Sequence, residues 1–247
     1  MITDLWFYAA AVPAVLLIGI SKSGFGAGFG ALAVPLMALV VPVPQAAAIM
    51  LPLLLVVDVL GLAAQLKHFD RALMRLLLPA GLLGVAIGAL LFGVFSAKAV
   101  AGLVGALTLI FLAIRVLWPP QADAPPPPRW LGMLLGTVSG FTSFVAHAGS
   151  PPIGFYVLPL KLKPLIFSST MGIFFTAINL AKWLPYAWLG LIDSRNMLTS
   201  LVLIPLAPLG VWLGLRLVKR ISPELFYQLF KIGMLLTGLK LLWDGLR

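Results

Sequence analysis

Two polar, glycine-rich stretches contain the residue types in this chain that could do chemistry. The first is SKSGFGAGFG, residues 21–30, and the second is TSFVAHAGSPP, residues 142–152. Alternate glycines let a ligand approach the main chain closely. Helices that start within these stretches, at Gly26 and Pro151, would direct free N–H groups toward an anion. Because Lys22 and a protonated His147 would add positive charge, the two stretches predict a site for a small oxyanion.

The candidate substrate-binding residues in these stretches are small, hydroxylated or positively charged. They are Ser21, Lys22, Ser23, Gly24, Gly26, Gly28, Ser143, His147, Gly149 and Ser150. Two other interpretations stay open: the glycines could serve only close helix packing, and Lys22 could snorkel to the surface if the first helix spans fully. The glycine run superficially resembles a phosphate-binding loop, but a dinucleotide fingerprint requires a preceding β-strand.

Asp58 is the only acidic residue inside an expected membrane span. A carboxylate at the centre of a membrane helix costs at least about 2.5 kcal/mol, so it usually has a functional or pairing reason. One interpretation is coupling to protons or cations. The other is a structural hydrogen bond or an ion pair, for which Lys22 is the candidate partner. The two histidines lie too far apart in sequence to form a zinc motif, and we expect no metal site.

The composition shows that the solvent of this chain is lipid. The sequence is 62% hydrophobic and 10% charged, whereas about a quarter of the residues in a soluble domain are charged. Its apolar runs approach the roughly 20 residues that a membrane helix needs. The first run follows an acidic start, so we do not expect a cleaved signal peptide. The absence of cysteine excludes disulfides and thiolate metal sites.

The hydropathy pattern predicts an all-α polytopic membrane protein with about ten helical segments, five in each half. In each half the first two segments are short and would form a broken or re-entrant hairpin. A proline-rich linker, residues 119–129, separates a first repeat, 1–118, from a second, 130–247. The predicted segments are 5–20, 26–41, 45–65, 76–95 and 99–118, then 130–146, 151–160, 165–188, 196–217 and 225–243.

Matching residues in the two halves indicate a duplication. Pro79, Gly84 and Gly88 recur 126 residues later, and Asp58 matches Asn179 at an offset of 121. Since each half has an odd number of segments, the second half would be inverted in the membrane relative to the first. Inverted repeats of this kind are typical of secondary transporters.

The basic residues predict the orientation, because cytoplasmic loops are enriched in Lys and Arg. With the N-terminus outside, eleven basic residues fall on the inner side and five on the outer side. We therefore expect both termini outside. The formal charge of +10 is mostly this topology signal, and nucleic-acid binding is not expected because the charges are scattered. The inner set is Lys67, Arg71, Arg75, Arg115, Arg129, Lys161, Lys163, Arg216, Lys219, Arg220 and Lys231.

Over nearly its whole length the chain resembles the TauE/SafE sulfite and organosulfonate exporters. The resemblance is carried by SGFGAGFG (23–30) closed by Pro35, by TSFVAHAGSPPIGFYVLPLKL (142–162) and by FSSTMGIFFTAINLAKWLPY (167–186). Related sequences commonly have a further glycine where this chain has Ser150. The resemblance implies a transporter of the bacterial inner membrane for sulfite, sulfoacetate or similar anions. At matching positions it implies His147, Gly149, Asn179 and Lys182 as site residues.

The sequence therefore predicts a secondary transporter that exports a small sulfur-containing anion by alternating access. The expected partners are that anion and the lipid bilayer, with no cofactor, and a homodimer is left open. A passive anion channel would have the same charge pattern without alternating gates. A membrane enzyme would need a nucleophile or metal constellation, and the sequence contains neither Gly-x-Ser-x-Gly nor His-Glu-x-x-His.

Overall fold

The fold is all-helical throughout the part of the chain that the structure describes. This computed structural model describes residues 1–22, 29–62, 68–92, 94–118, 126–217 and 223–247, and no β-strand occurs among them. The helical prediction is confirmed. The helices are α1 (Leu5–Lys22), α2 (Ala33–Met37), α3 (Val43–Leu62), α4 (Arg71–Phe92), α5 (Ala97–Leu117), α6 (Arg129–Ala146), α7 (Ser150–Val157), α8 (Pro164–Trp188), α9 (Ser194–Leu203), α10 (Leu206–Leu217) and α11 (Pro223–Leu246).

Several of these helices are long and apolar enough to cross a membrane. Within the described ranges, α1, α3, α4 and α8 meet this criterion, and α9 with α10 makes a fifth span if the bent pair counts as one. Large apolar side chains point outward from these spans: Leu184 is 80% exposed and Trp188 is 83% exposed. Such an apolar exterior requires lipid as its solvent.

The two opening hairpins have a long helix followed by a short one. The first helices, α1 and α6, have 18 residues each. The second helices are α2, with five residues after a 3-10 turn (Phe29–Leu32), and α7, with eight residues before another. The prediction of short second segments is confirmed. The prediction that the first segments are short is wrong for α1, which could span a membrane alone.

An aspartate starts one helix in each half in the same way. The Oδ1 atom of Asp70 accepts a hydrogen bond from the Leu73 amide (2.9 Å) at the start of α4. The Oδ1 atom of Asp193 accepts from the Asn196 amide (2.7 Å) at the start of α9. An acceptor at this position satisfies an N–H group that has no partner within the helix.

A break divides the fourth span of the second half. The sequence predicted one segment over 196–217, but α9 ends at Leu203 and α10 begins at Leu206, with a bend of 41°. Pro205 lies at the break, where it removes a backbone donor and crowds the preceding turn. Its counterpart Pro79 lies inside the unbroken α4. The predicted segment therefore consists of two helices, and proline alone does not determine the break.

The helix packing exchanges partners between the two halves. Helix α4 of the first half packs on α6 of the second, α10 of the second half packs on α1 of the first, and α5 packs on α11. Glycines allow these close crossings: a Cβ on Gly84 would lie 2.7 Å from the Phe141 nitrogen, and one on Gly19 would lie 2.6 Å from the Gly210 carbonyl carbon. Gly84 therefore serves close helix packing. The inverted orientation of the halves stays a prediction.

Candidate functional site

A chain of polar side chains lies in the interior where α1, α3, α6 and α8 meet. Lys22, at the end of α1, forms an ion pair with Asp58 on α3. The other oxygen of Asp58, Oδ2, accepts a hydrogen bond from Asn179 Nδ2 (2.8 Å). Asn179 Oδ1 in turn accepts from Lys182 Nζ (2.9 Å), one turn further along α8. We call these four residues, together with Ser143 and His147 of α6, the polar cluster.

Lys182 is the centre of the second half of this cluster. Its side chain is fully buried. Three acceptor atoms surround Nζ: Ser143 Oγ at 2.7 Å, Asn179 Oδ1 at 2.9 Å and His147 Nδ1 at 3.0 Å. An ammonium has three N–H donors, so each can be satisfied. All three acceptors are uncharged, however, and none of them compensates the positive charge of the ammonium.

His147 holds a backbone conformation that is unusual for a residue with a side chain. It ends α6 with φ 52° and ψ 26°, in the left-handed region, which costs a non-glycine residue roughly 1–2 kcal/mol. Glycine commonly occupies this position at helix ends. The imidazole bridges two groups here: Nε2 lies 2.9 Å from the Ala47 carbonyl oxygen, and Nδ1 lies 3.0 Å from Lys182 Nζ. The side chain, not the backbone, therefore explains a histidine at this position.

These two contacts of the imidazole favour a neutral ring. The Ala47 carbonyl oxygen can only accept, which places the ring proton on Nε2. The Nδ1 atom is then free to accept from the Lys182 amine. We assign this tautomer from the hydrogen-bond pattern. In this arrangement His147 orients Lys182 and does not add a second positive charge beside it.

The polar cluster contains two amines and one carboxylate. Lys22 and Asp58 are in direct contact, so the structural ion pair considered from the sequence is present; their side chains are 29% and 1% exposed. With both amines protonated and Asp58 ionised, the cluster has a net charge of one positive unit. An isolated charge inside a membrane is costly unless it meets a partner. An anion beside Lys182 would supply that partner.

The cluster also joins two positions that the predicted duplication pairs. Asp58 and Asn179, which are 121 residues apart, hydrogen-bond to each other across the interface between α3 and α8. At the same offset Lys22 corresponds to Ser143. The first half thus places a carboxylate beside its lysine, whereas the second half has a neutral amide at the equivalent position.

The turn between α6 and α7 is tied together by hydroxyl groups. Ser139 Oγ donates to the Gly149 carbonyl oxygen (2.7 Å), and Thr142 Oγ1 donates to the Ala148 carbonyl oxygen (3.0 Å). A Cβ on Gly149 would lie 2.7 Å from the Ser139 carbonyl oxygen. Gly149 has φ −76°, so it does not need a left-handed backbone. Its small size serves the close packing of this turn.

The start of α7 offers few N–H donors. Ser150 is the first residue of the helix, and the next two residues are the prolines at 151 and 152, which have no N–H group. Ser150 is half-buried, and no hydrogen bond links its side chain to the polar cluster among the described residues. The sequence expectation of a row of free amides from Pro151 onward is therefore wrong.

The other predicted residues of the first stretch do not join the cluster. Ser21 is buried, and its Oγ accepts a hydrogen bond from the Gly30 amide (3.1 Å), which ties α1 to the following 3-10 turn. The predicted residues Ser23, Gly24, Gly26 and Gly28 lie outside the residues that the structure describes.

Residues that the sequence did not single out surround the cluster. Tyr186 is fully buried, donates from its hydroxyl to the Phe144 carbonyl oxygen (2.6 Å) and packs edge-on against the Phe144 ring at 5.0 Å. A usable signal was present in the sequence, because Asn179, Lys182 and Tyr186 are spaced to share one face of a helix. Ser139 gave no comparable signal, whereas Thr142 belongs to the polar stretch 142–152.

Comparison with known proteins gives one match. The model of the family described as sulfite exporter TauE/SafE matches residues 11–241, which is nearly the whole chain. No curated protein matches the chain, and no solved structure matches it either.

Proposed function

Because the chain belongs to the TauE/SafE sulfite exporter family, we propose that it is a secondary transporter that exports a small sulfur oxyanion. Sulfite, sulfoacetate and other organosulfonates form the proposed substrate class. The family is one of membrane transporters, and the apolar spans of this chain agree with that setting. The proposed location is the bacterial inner membrane, with both termini outside.

The observation that carries this proposal is the amine of Lys182, whose three hydrogen-bond partners among the described residues include no carboxylate. It is fully buried on α8, and its three acceptors are neutral. A buried charge without a counter-ion is unfavourable in a medium of low dielectric constant. A monovalent oxyanion would neutralise it. Lys182 would therefore be the principal anion ligand.

The burial of the cluster supports a carrier. A substrate can reach a fully buried Lys182 only after the surrounding helices move apart. Alternating access supplies such a movement through rocking of two repeats about a central site. The helices that supply the cluster are the first and third segments of each half, so relative motion of the halves would alter the hydrogen bond between Asp58 and Asn179 and the contact of His147 with the Ala47 carbonyl.

The membrane potential favours export of an anion. One elementary charge is worth about 2.3 kcal/mol per 100 mV, and an inside-negative potential drives a negative charge outward. Export of a monoanion therefore needs no coupling ion on electrical grounds. Asp58 then has a role other than obligatory proton coupling.

Counterflow in liposomes tests the proposal. Purified protein is reconstituted with unlabelled anion inside, and uptake of the labelled anion is measured for sulfite, sulfoacetate, sulfate and acetate. The test variant is Lys182→Gln. The matched control is Lys240→Gln, which removes the same charge from an exposed lysine that pairs with Asp244 on α11. We expect saturable counterflow of a sulfur oxyanion that Lys182→Gln lowers at least about tenfold and that Lys240→Gln leaves near the wild-type rate.

Three results would contradict the proposal. The substrate class is wrong if no sulfur oxyanion shows counterflow. Flux that never saturates and shows no counterflow would indicate a passive channel. Equal losses of counterflow in Lys182→Gln and Lys240→Gln would show that Lys182 is not part of the binding site.

A further inference from the structure

We propose that Asp58 is a built-in counter-anion that sets the charge of the site and makes the transporter favour the singly charged members of the proposed substrate class over the doubly charged ones. This inference rests on the function proposed above. It concerns the charge of the substrate, which neither the family match nor the presence of an anion site determines.

The asymmetry between the two halves carries the inference. In the first half, Lys22 already meets a carboxylate, Asp58. In the second half, the residue equivalent to Asp58 is Asn179, which hydrogen-bonds to Lys182 but brings no negative charge. Asp58 therefore occupies the place beside Lys22 that a ligand anion would otherwise take. One lysine, Lys182, is left for the substrate.

Asp58 is connected to both amines of the cluster. One of its oxygens contacts Lys22, and the other accepts from Asn179, whose opposite end contacts Lys182. With both amines protonated, the cluster carries a net charge of one. A dianion would leave an excess negative charge in the buried site, whereas a monoanion would balance it. Because Coulomb energy scales with the product of the charges, changing the site charge affects a dianion about twice as strongly as a monoanion.

The test compares two anions of similar size and different charge. Isethionate is a monoanion, and sulfoacetate carries a second charge on its carboxylate at neutral pH. Affinities of both for purified protein are measured by titration calorimetry. Wild type should bind isethionate more tightly. Asp58→Asn should raise the sulfoacetate-to-isethionate affinity ratio about tenfold or more, and Lys22→Gln should lower it.

Two further variants separate charge from local disruption. The double variant Lys22→Gln/Asp58→Asn has the wild-type net charge, so its affinity ratio should return to the wild-type value. Asp244→Asn removes a carboxylate from the exposed ion pair with Lys240 and should leave the ratio unchanged. If Asp58→Asn does not fold, the opposite shift expected for Lys22→Gln still decides the question.

The outcomes distinguish this inference from the proposed function. If wild type binds neither anion, the proposed function fails and the inference fails with it. If wild type binds isethionate but Lys22→Gln or Asp58→Asn leaves the affinity ratio unchanged, the transporter proposal stands and the charge-setting role of Asp58 is overturned. A double variant that keeps the ratio of either single variant also overturns it.

Discussion

Replacing His147 by glycine and by alanine tests whether this residue is kept for its side chain at a cost to the backbone. Both variants lose the contacts of the imidazole with the Ala47 carbonyl and with Lys182. Each buried polar group left unpaired costs about 1–3 kcal/mol. Both variants should therefore unfold at a lower temperature than wild type, and both should lose anion binding.

The two variants should also differ in stability, because the backbone conformation at residue 147 suits glycine better than alanine. His147 has φ 52°, a conformation that costs alanine roughly 1–2 kcal/mol but costs glycine little. We expect His147→Gly to be more stable than His147→Ala by about 1 kcal/mol. For a chain of this size, that difference corresponds to about 2–4 °C in the thermal midpoint.

Thermal unfolding in detergent, followed by tryptophan fluorescence, measures this difference. The control is Ala86→Gly, at an exposed position inside α4, where glycine should lower stability by about 0.5–1 kcal/mol. The sign of the Gly-versus-Ala difference should thus reverse between the two sites. A His147→Ala protein as stable as His147→Gly would show that the left-handed backbone at residue 147 is not strained.

Three further outcomes are expected. Gly149→Ala should lower the thermal midpoint, because the added Cβ would lie 2.7 Å from the Ser139 carbonyl oxygen. The control Gly154→Ala should leave it unchanged, because the nearest atom to that Cβ is 3.9 Å away. Equal midpoints of the two variants would refute the packing role of Gly149. Binding of a permanently ionised sulfonate should not strengthen as pH falls through about 6.5, the range of an ordinary imidazole, because His147 accepts from Lys182 as a neutral ring. If binding does strengthen and His147→Gln abolishes this effect, a protonated His147 takes part in binding. A reporter fused after Arg247 should lie outside, and a reporter fused to a chain truncated within 119–128 should lie inside. A cytoplasmic signal from the fusion at Arg247 would refute the inversion.

The amino-acid sequence was sufficient for the solvent, the helical class and most element bounds. Hydrophobicity is a local property, so α3, α5, α8 and α11 begin and end within a few residues of the predicted segments. The pairing of Lys22 with Asp58 could be proposed because two opposite charges in one apolar chain have few other partners. The duplication stays a prediction from spacing: Asp58 and Asn179 are 121 residues apart, and Pro79, Gly84 and Gly88 recur after 126 residues.

Only the tertiary structure shows which charges are compensated. Lys182 could have reached either the interior or the outer interface, and the packing of α8 against α3, with hydrogen bonds to Ser143 and His147, places it in the interior with three neutral acceptors. Two of those acceptors, His147 and Ser143, lie 35 and 39 residues away in sequence, so no local pattern brings them to Lys182. The same holds for the left-handed conformation of His147 and for the break at Pro205 where Pro79 has none. Net charge and strain at this site arise from contacts between helices, and a one-dimensional pattern does not contain them.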